Sequence, residues 1–283
     1  MSLRGWRLLV QGLALLLIIV NPLLNYYLHI TFVQGWYQSL AIGELWFVSP
    51  LEGLESILVA RSCSLTLLIA MILPLGVALL LGRVFCGWIC PIHYLSELSD
   101  LAGRLFTSKR RRKDYLVLPR KLLWFALLAE LLLTMILGAP LFVFLSPPGL
   151  VGREIMMAIF FHTLAVEGVA VLLVLLLNLI TRRFYCRYLC PLGGLLALLG
   201  RRRRLRVVLA TESCTACGRC GRSCPLGLDP AKGEGESAHC WNCGECVVRC
   251  RTGALAMAWQ NGRERRQRPA SPAGAPAGAE GDR

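Results

Sequence analysis

Eight of the thirteen cysteines in this chain fall into two runs with the same spacing, C-x2-C-x2-C-x3-C. Three closely spaced thiolates of such a run wrap one [4Fe-4S] cube, and the fourth cysteine serves the cube of the other run. The spacing therefore predicts two [4Fe-4S] clusters. The first is held by Cys214, Cys217, Cys220 and Cys250, and the second by Cys240, Cys243, Cys246 and Cys224.

Two other uses of these cysteines fit the pattern less well. A structural zinc site takes four ligands as two C-x2-C halves, whereas each run here has a triplet plus one. Disulfides are disfavoured in a reducing compartment. One departure from the usual cluster run is Arg251, which follows Cys250 where a proline is common. We expect this change to affect solvent exposure or potential without removing a ligand.

Four further cysteines form two CxxxCP motifs one hundred residues apart, CGWICP at 86–91 and CRYLCP at 186–191. Residues four apart are neighbours on a helical turn, so both sulfurs of a pair share one face. If Cys86, Cys90, Cys186 and Cys190 meet, four thiolates would suit a metal, a third cluster or two redox-active dithiols. The alternative is that they are small buried hydrophobes. Cys63 stands alone, and we interpret it as a packing residue.

The composition excludes an ordinary soluble domain. Of the 283 residues 55% are hydrophobic and 17% are charged, and the mean hydropathy is +0.57, which is typical of membrane proteins. Crossing a hydrocarbon core takes about 20 mostly apolar residues. The stretches long enough are 8–28, 64–82, 121–145 and 162–181. The first resembles a signal peptide, but no small-residue cleavage site follows it, and we expect an uncleaved anchor.

The positive charges indicate the orientation. Segment 29–63 holds only Arg61 and 146–161 only Arg153, whereas 83–121 and 182–206 are rich in Lys and Arg. Such loops are retained on the cytoplasmic side, so we expect a multi-pass protein of the inner membrane with both termini in the cytoplasm. The basic runs then contact anionic headgroups, and we predict no nucleic-acid partner.

The chain also contains an internal repeat. Each CxxxCP motif ends an apolar stretch. Upstream of the two motifs, SPLEGLESILVA at 49–60 corresponds to SPPGLVGREIMMA at 146–158. The predicted fold is an all-α membrane domain at 1–206, a four-transmembrane-helix bundle built from two parallel repeats. An α+β dicluster ferredoxin-like domain follows at 207–262, and 263–283 is a disordered tail. After the first motif, 92–106 has the spacing of an amphipathic interfacial helix.

The pieces RVFCGWICP, SPPGLVGRE and YCRYLCPLGGLLALLG, together with the two cysteine runs, resemble the NapH/MauN family over roughly residues 40–260. These are ferredoxin-type membrane components of periplasmic nitrate reductase and methylamine dehydrogenase systems. The resemblance implies four transmembrane helices, two CxxxCP motifs and two cytoplasmic [4Fe-4S] clusters. It also implies a quinol dehydrogenase that passes electrons toward a periplasmic ferredoxin-type or cytochrome partner.

Quinol oxidation releases protons, so such a protein needs a proton acceptor beside an apolar slot. Glu130 lies nine residues past Lys121, which is about 13 Å deep at a rise of 1.5 Å per residue. Ionisable residues at that depth usually face the bundle interior and often function. The alternative is a protonated Glu130 that hydrogen-bonds Gln11 or Asn21 to fix helix packing. His29 and His162 are outer-face candidates for a quinol headgroup site. For all four histidines, His93 and His239 included, a surface or interface position is the more frequent case.

We therefore interpret the chain as an iron–sulfur membrane protein that exchanges electrons with the membrane quinone pool. Glu130 and the four CxxxCP cysteines are the candidate catalytic residues. A second hypothesis is a membrane thiol or metal reductase that helps to assemble a respiratory metalloenzyme. A third is a non-catalytic anchor with structural clusters.

Overall fold

The computed structural model describes residues 3–29, 34–35, 39–106, 116–140, 146–163 and 166–260. The tail predicted at 263–283 and the basic run at 109–113 lie outside these residues. Helices make up most of the described chain. They are α1 (Leu3–Leu28), α2 (Pro50–Ala60), α3 (Leu65–Leu81), α4 (Val84–Trp88), α5 (Pro91–Phe106), α6 (Leu122–Leu137), α7 (Pro147–Phe160), α8 (Val166–Ile180), α9 (Pro191–Leu199), α10 (Arg219–Ser223) and α11 (Glu245–Arg249).

The remaining elements are short. A π-helical turn, Tyr185–Leu189, precedes α9, and single 3-10 turns lie at Gly200–Arg202, Thr211–Ser213, Pro230–Lys232 and Glu234–Glu236. Strands β1 (Gln34–Gly35), β2 (Ser39–Ile42) and β3 (Leu45–Val48) form an antiparallel sheet before α2. Strands β4 (Leu205–Leu209) and β5 (Leu255–Trp259) pair antiparallel, with Leu205 opposite Trp259 and Leu209 opposite Leu255.

Local signals explain where the long helices begin and end. The hydroxyl of Ser64 accepts from the backbone N–H of Leu67 at the start of α3, and Ser146 caps α7 in the same way. Gly82 and Gly138 follow α3 and α6 with positive φ, a conformation that glycine adopts without steric cost. At Gly82 the chain turns sharply, and α3 and the segment Val84–Leu101 enclose an angle of 87°.

One described helix, α1, is by itself long and apolar enough to cross a membrane. The bent pair formed by α3 and Val84–Leu101 passes the same test together, whereas α6 and Gly168–Asn178 are apolar but shorter. Two of the predicted spans, 121–145 and 162–181, contain residues 141–145 and 164–165, which lie outside the described chain. The bundle of four spans built from two repeats therefore stays a prediction.

A single hydrophobic core runs through the helices and into the cysteine-rich unit at 205–260, which we term the ferredoxin unit. Leu51, Leu127 and Val151 belong to this core on the helical side, and Val207 and Trp241 belong to it on the other. Helix α5 forms as predicted, with Leu98 and Leu101 exposed and Ile92 buried. The ferredoxin unit is thus packed directly on the helical part.

Candidate iron–sulfur site

Each of the two predicted ligand sets lines one cavity. The first cavity is lined by Cys224, Cys240, Cys243 and Cys246. The second is lined by Cys214, Cys217, Cys220 and Cys250. Among the described residues, no group of three or more His, Cys, Asp or Glu side chains is arranged to hold a single metal ion. The cysteines are instead distributed around two cavities.

The backbone of the two runs repeats in detail. Ala216 and Gly218 flank Cys217 with φ of 50° and 65°, and Asn242 and Gly244 flank Cys243 with φ of 52° and 73°. An alanine with positive φ is uncommon, because its Cβ crowds the backbone. The second cysteine of each run therefore lies between two residues with left-handed backbone. The third cysteine of each run lies in a five-residue helix, α10 or α11.

The two cavities lie at different distances from the helical part. Strand β4 starts beside α3, where the backbone N–H of Arg204 donates to the carbonyl of Leu80 at 2.9 Å. Val207 lines the first cavity, and Leu209, farther along the strand, lines the second. A strand advances by about 3.3 Å per residue. We therefore term the first cavity proximal and the second distal.

The cysteines of the proximal cavity are also more deeply buried than those of the distal cavity. All four cysteines of the proximal cavity are buried, whereas Cys217 of the distal cavity is exposed and Cys214 and Cys250 are half-buried. Burial raises the pKa of Cys224 to about 12 and that of Cys243 to about 11. At the surface, a hydrogen bond from the backbone of Arg219 lowers the pKa of Cys217. The proximal thiols thus need the positive charge of bound metal to deprotonate.

The proximal cavity offers one more test of what it could hold. Trp241 lines it and is 1% exposed, and its indole Nε1–H is buried without a partner. A buried donor of this kind is costly unless something accepts from it. Four thiols and an N–H donor around one cavity fit an iron–sulfur group, whose sulfurs accept hydrogen bonds.

The CxxxCP cysteines also come together. Cys90 lies within electrostatic range of Cys86 and Cys190, and Cys186 lies within range of all three. Cys86, Cys90 and Cys186 are buried, and Cys190 is half-buried. Both motifs break the helix before the proline, and Cys190 caps α9 by accepting from the N–H of Gly193 at 3.4 Å. We term these four residues the four-cysteine site.

The four-cysteine site and the proximal cavity are neighbours. A Cβ built on Gly87 would lie 3.2 Å from the carbonyl oxygen of Trp241 and 3.4 Å from Cβ of Cys243. The buried Arg83 donates to the carbonyl of His239 and to that of Cys186, both at 3.3 Å. Its guanidinium also lies 5.8 Å from the ring centroid of Trp241. Arg83 and Gly87 therefore connect the two groups of cysteines.

Further hydrogen bonds fix the ferredoxin unit on the helices. Trp88 donates to the carbonyl of Asn242 at 3.1 Å, and the amide of Asn242 donates to the carbonyl of Leu81 at 2.9 Å. Arg182 donates to the carbonyl of Cys224 at 3.3 Å, and Arg120 to that of Gly227 at 3.1 Å. These donors reach the backbone that carries the cavity cysteines, so they position the cavities.

Glu130 lies on α6, half-buried, and its Oε1 is without a hydrogen-bond partner. Gln11, one of its two predicted partners, instead donates to the carbonyl of Gly87 at 2.9 Å. Tyr185 lies within electrostatic range of both Glu130 and three cysteines of the four-cysteine site. The candidate proton acceptor is thus near that site, and Tyr185 is a residue that the sequence reasoning missed.

Several polar residues differ from what the sequence suggested. His93 is not at a surface: it is 1% exposed, accepts from Arg183 at 3.1 Å and packs edge-on against Trp241. Arg203, which belongs to the basic run RRRR, is buried and donates to the carbonyl of Gly235 rather than facing lipid headgroups. Arg206 is also buried and donates to the carbonyl of Glu236. His162 lies beside Tyr26, with ring centroids 6.1 Å apart. Cys63 is exposed.

Comparison with known proteins agrees with a ferredoxin-type iron–sulfur protein. A family model described as a 4Fe-4S binding domain matches residues 64–113 and 162–207, segments that each contain one CxxxCP motif. The runs that line the two cavities lie beyond these matches. No solved structure matches the chain.

Similar proteins show to which family of ferredoxin-type proteins the chain belongs. The methylamine utilization ferredoxin-type protein MauN of Methylorubrum extorquens is 32% identical over 82% of this chain and 78% of its own length. MauN of Methylobacillus flagellatus is 35% identical over 66% of this chain, and the putative electron transport protein YccM of Escherichia coli 30% over 77%. The match spans 64% and 61% of those two relatives. Ferredoxin-type NapH proteins match too, and the chain belongs to this NapH/MauN family.

Proposed function

We propose that the protein is an iron–sulfur electron-transfer subunit of the inner membrane, crossed by four helices with both termini in the cytoplasm, that oxidises quinol. Cys240, Cys243, Cys246 and Cys224 would hold one [4Fe-4S] cluster at the proximal cavity. Cys214, Cys217, Cys220 and Cys250 would hold the other at the distal cavity. When bound, these groups supply one-electron transfer.

The contact of Gly87 with Trp241 and Cys243 carries this proposal. It packs the four-cysteine site, on the helical part, against the proximal cavity. The distal cavity then follows along β4. The order of burial, from four buried cysteines to an exposed Cys217, supports a path from the membrane to the protein surface.

Glu130 would accept a proton of the quinol. Its buried Oε1 has no partner, so it can accept a proton without first losing a hydrogen bond. The carboxylate of a positioned side chain contributes typically 10²–10⁴-fold to proton transfer. Tyr185, which lies within electrostatic range of both Glu130 and the four-cysteine site, would hold their relative orientation.

The four-cysteine site would hold a third redox centre, a further cluster, since no group of described side chains is arranged for a single metal ion. Two observations support this: four thiols from two distant segments lie together, and the 4Fe-4S binding family model covers both segments. A periplasmic partner is proposed from the resemblance to NapH and MauN. The name of the YccM relative, a putative electron transport protein, agrees with this class of function.

The test is anaerobic EPR of the full-length protein in lipid nanodiscs. Dithionite is compared with a menaquinol or ubiquinol analogue, in the parent and in Glu130→Gln, with Glu44→Gln in the exposed outer loop as a matched control. We expect quinol to raise a reduced-cluster signal, and Glu130→Gln to slow it by at least about 10²-fold. Dithionite should reduce all three proteins equally. Cluster signals that neither quinol raises would contradict the proposal.

A second candidate function is a membrane thiol or metal reductase. The mutual proximity of Cys86, Cys90, Cys186 and Cys190 favours it, because neighbouring thiols can also cycle through disulfides. It predicts that Glu130→Gln leaves activity intact. Trapping of the four thiols with a maleimide before and after oxidation distinguishes the two functions.

A further inference from the structure

The distal cavity opens on a strongly basic surface. Segments 211–223 and 247–253 surround it and carry four arginines and one acidic residue, Glu212. Arg222, Arg249 and Arg251 are exposed, Arg219 is half-buried, and the ligand Cys217 is exposed. We term Arg219, Arg222, Arg249 and Arg251 with Cys217 the distal face.

The position of this face indicates that it meets solvent rather than lipid. The two-stranded β4–β5 sheet is held to the helices at its Leu205–Trp259 end, next to the bond between Arg204 and Leu80. The distal cavity is lined by Leu209 and Leu255, the pair at the opposite end of this sheet. A lipid-binding surface would be expected at the end beside the helices.

Two of the four arginines have local partners that account for part of their role. Arg222 donates to the carbonyl of Cys217 at 3.0 Å, and Arg249 donates to Glu245 at 3.4 Å. Arg251 directly follows the ligand Cys250, at the place where such runs often have proline, and it is exposed. A ligand loop edged with cations raises the local concentration of an acidic protein and its rate of association.

We propose that the distal face docks an acidic, soluble one-electron carrier protein of the flavodoxin or ferredoxin class. The proposal rests on the proposed iron–sulfur function. One electron passes from the reduced group at Cys214, Cys217, Cys220 and Cys250 to the oxidised carrier. The bound group is oxidised by one electron, the carrier is reduced by one, and no bond or proton is transferred. The positive charge of the distal face favours an acidic carrier. Because Cys217 is exposed, a carrier docked there lies close to the bound group, which shortens the distance of electron transfer.

The experiment uses the full-length protein in nanodiscs and an acidic flavodoxin as the probe. Binding of the oxidised flavodoxin is measured by surface plasmon resonance from low to high salt, and transfer to it from the dithionite-reduced protein by stopped flow. The variant is Arg251→Glu. The matched control is Arg202→Glu, which changes the charge equally at an exposed residue beside the helices. EPR after dithionite checks that both variants hold their clusters.

At low salt we expect Arg251→Glu to weaken binding and slow transfer by about tenfold, within the range of electrostatic steering. Its salt dependence should be shallower than that of the parent, and Arg202→Glu should behave as the parent. An equal effect of both variants, or no effect of either, would overturn the docking site. An effect present in anionic but absent in neutral nanodiscs would assign the face to lipid. Failure of dithionite to reveal clusters would instead refute the proposed function.

Discussion

The guanidinium of Arg83 donates to the backbone carbonyl of Cys186 at 3.3 Å, and so joins the two CxxxCP motifs. The same side chain donates to the carbonyl of His239, next to Cys240, which lines the proximal cavity. One buried cation thus contacts both motifs and the proximal cavity. Because its partners are neutral carbonyls, its charge is not cancelled by a nearby carboxylate in these bonds.

Replacement of Arg83 tests this connection. Arg83→Gln should leave at least one of the two carbonyls without a donor and destabilise the protein by about 1–3 kcal/mol. It should also slow quinol-driven reduction of the clusters while dithionite still reduces them. Thermal unfolding in nanodiscs and anaerobic EPR measure the two effects. Arg83→Lys keeps the charge but not the forked geometry, so it should recover stability only in part. Parent-like behaviour of Arg83→Gln would contradict the role.

The four-cysteine site makes a prediction about metal content. Cys86→Ser should lower the metal bound per chain while leaving the clusters of the two cavities in place, because Cys86 is not among their ligands. Cys63→Ser changes an exposed cysteine and is the matched control. Elemental analysis of iron and zinc, together with Mössbauer spectra, measures this. Equal metal content in the parent and both variants would show that the buried thiols hold no metal.

The unequal burial of the two cavities predicts unequal chemical stability. An oxidant such as ferricyanide should destroy the cluster at the exposed Cys217 first and that at the buried Cys243 later. The loss of iron should therefore be biphasic. Cys217→Ser should retain only the slow phase, and Cys243→Ser only the fast one. A single phase in the parent, followed by EPR over time, would count against two separately exposed clusters.

The Arg120–Glu234 pair predicts a pH effect on stability. Burial raises the pKa of Glu234, but the N–H of Asp229 at 2.7 Å and the Arg120 guanidinium outweigh it, so the pKa is lowered overall. A lowered pKa stabilises the fold above the ordinary pKa of glutamate, and this stability is lost as pH falls through the lowered value.

We therefore expect Glu234→Gln to lower Tm at pH 7, and the difference from the parent to shrink below about pH 4.5 and to vanish only when pH has fallen below the lowered pKa. Both side chains are partly exposed, so the effect should stay below about 1 kcal/mol. Glu212→Gln removes an exposed carboxylate and is the control for net charge. Thermal unfolding of the three proteins across this pH range measures it. A difference that does not shrink as pH falls from 7 to below the lowered pKa would point to a packing effect instead.

The spacing of the cysteines predicted which of them line each cavity, but it predicted little of what surrounds the cavities. Cysteines three apart are presented by a local turn, so the runs alone suggest which sulfurs meet. The partners of Arg83 are backbone carbonyls 103 and 156 residues away, and a carbonyl leaves no mark in a sequence. For the same reason the sequence predicted Arg203 to face lipid headgroups, although it is buried and donates to the carbonyl of Gly235 in the ferredoxin unit.

Hydropathy likewise predicted helices better than spans. The apolar stretches at 64–82 and 121–145 both contain helices, yet α6 has 16 described residues and α3 turns by 87° into the next segment at Gly82. Hydropathy is averaged over a window of residues, so it cannot show that a single glycine with positive φ, Gly82, lies at a sharp turn of the chain. His93 was misjudged because its burial depends on Arg183 and Trp241, both distant in sequence.

The bonds from Arg120, Arg182 and Trp88 to backbone carbonyls have a kinetic consequence. They tie the ferredoxin unit to the helices at separate points, so no hinge is left for it to swing between a loading and an unloading position. Transfer inside the molecule should then depend on fixed distances, and its rate should not change when the viscosity of the medium is raised. Any step that viscosity does slow belongs to the arrival or departure of another molecule.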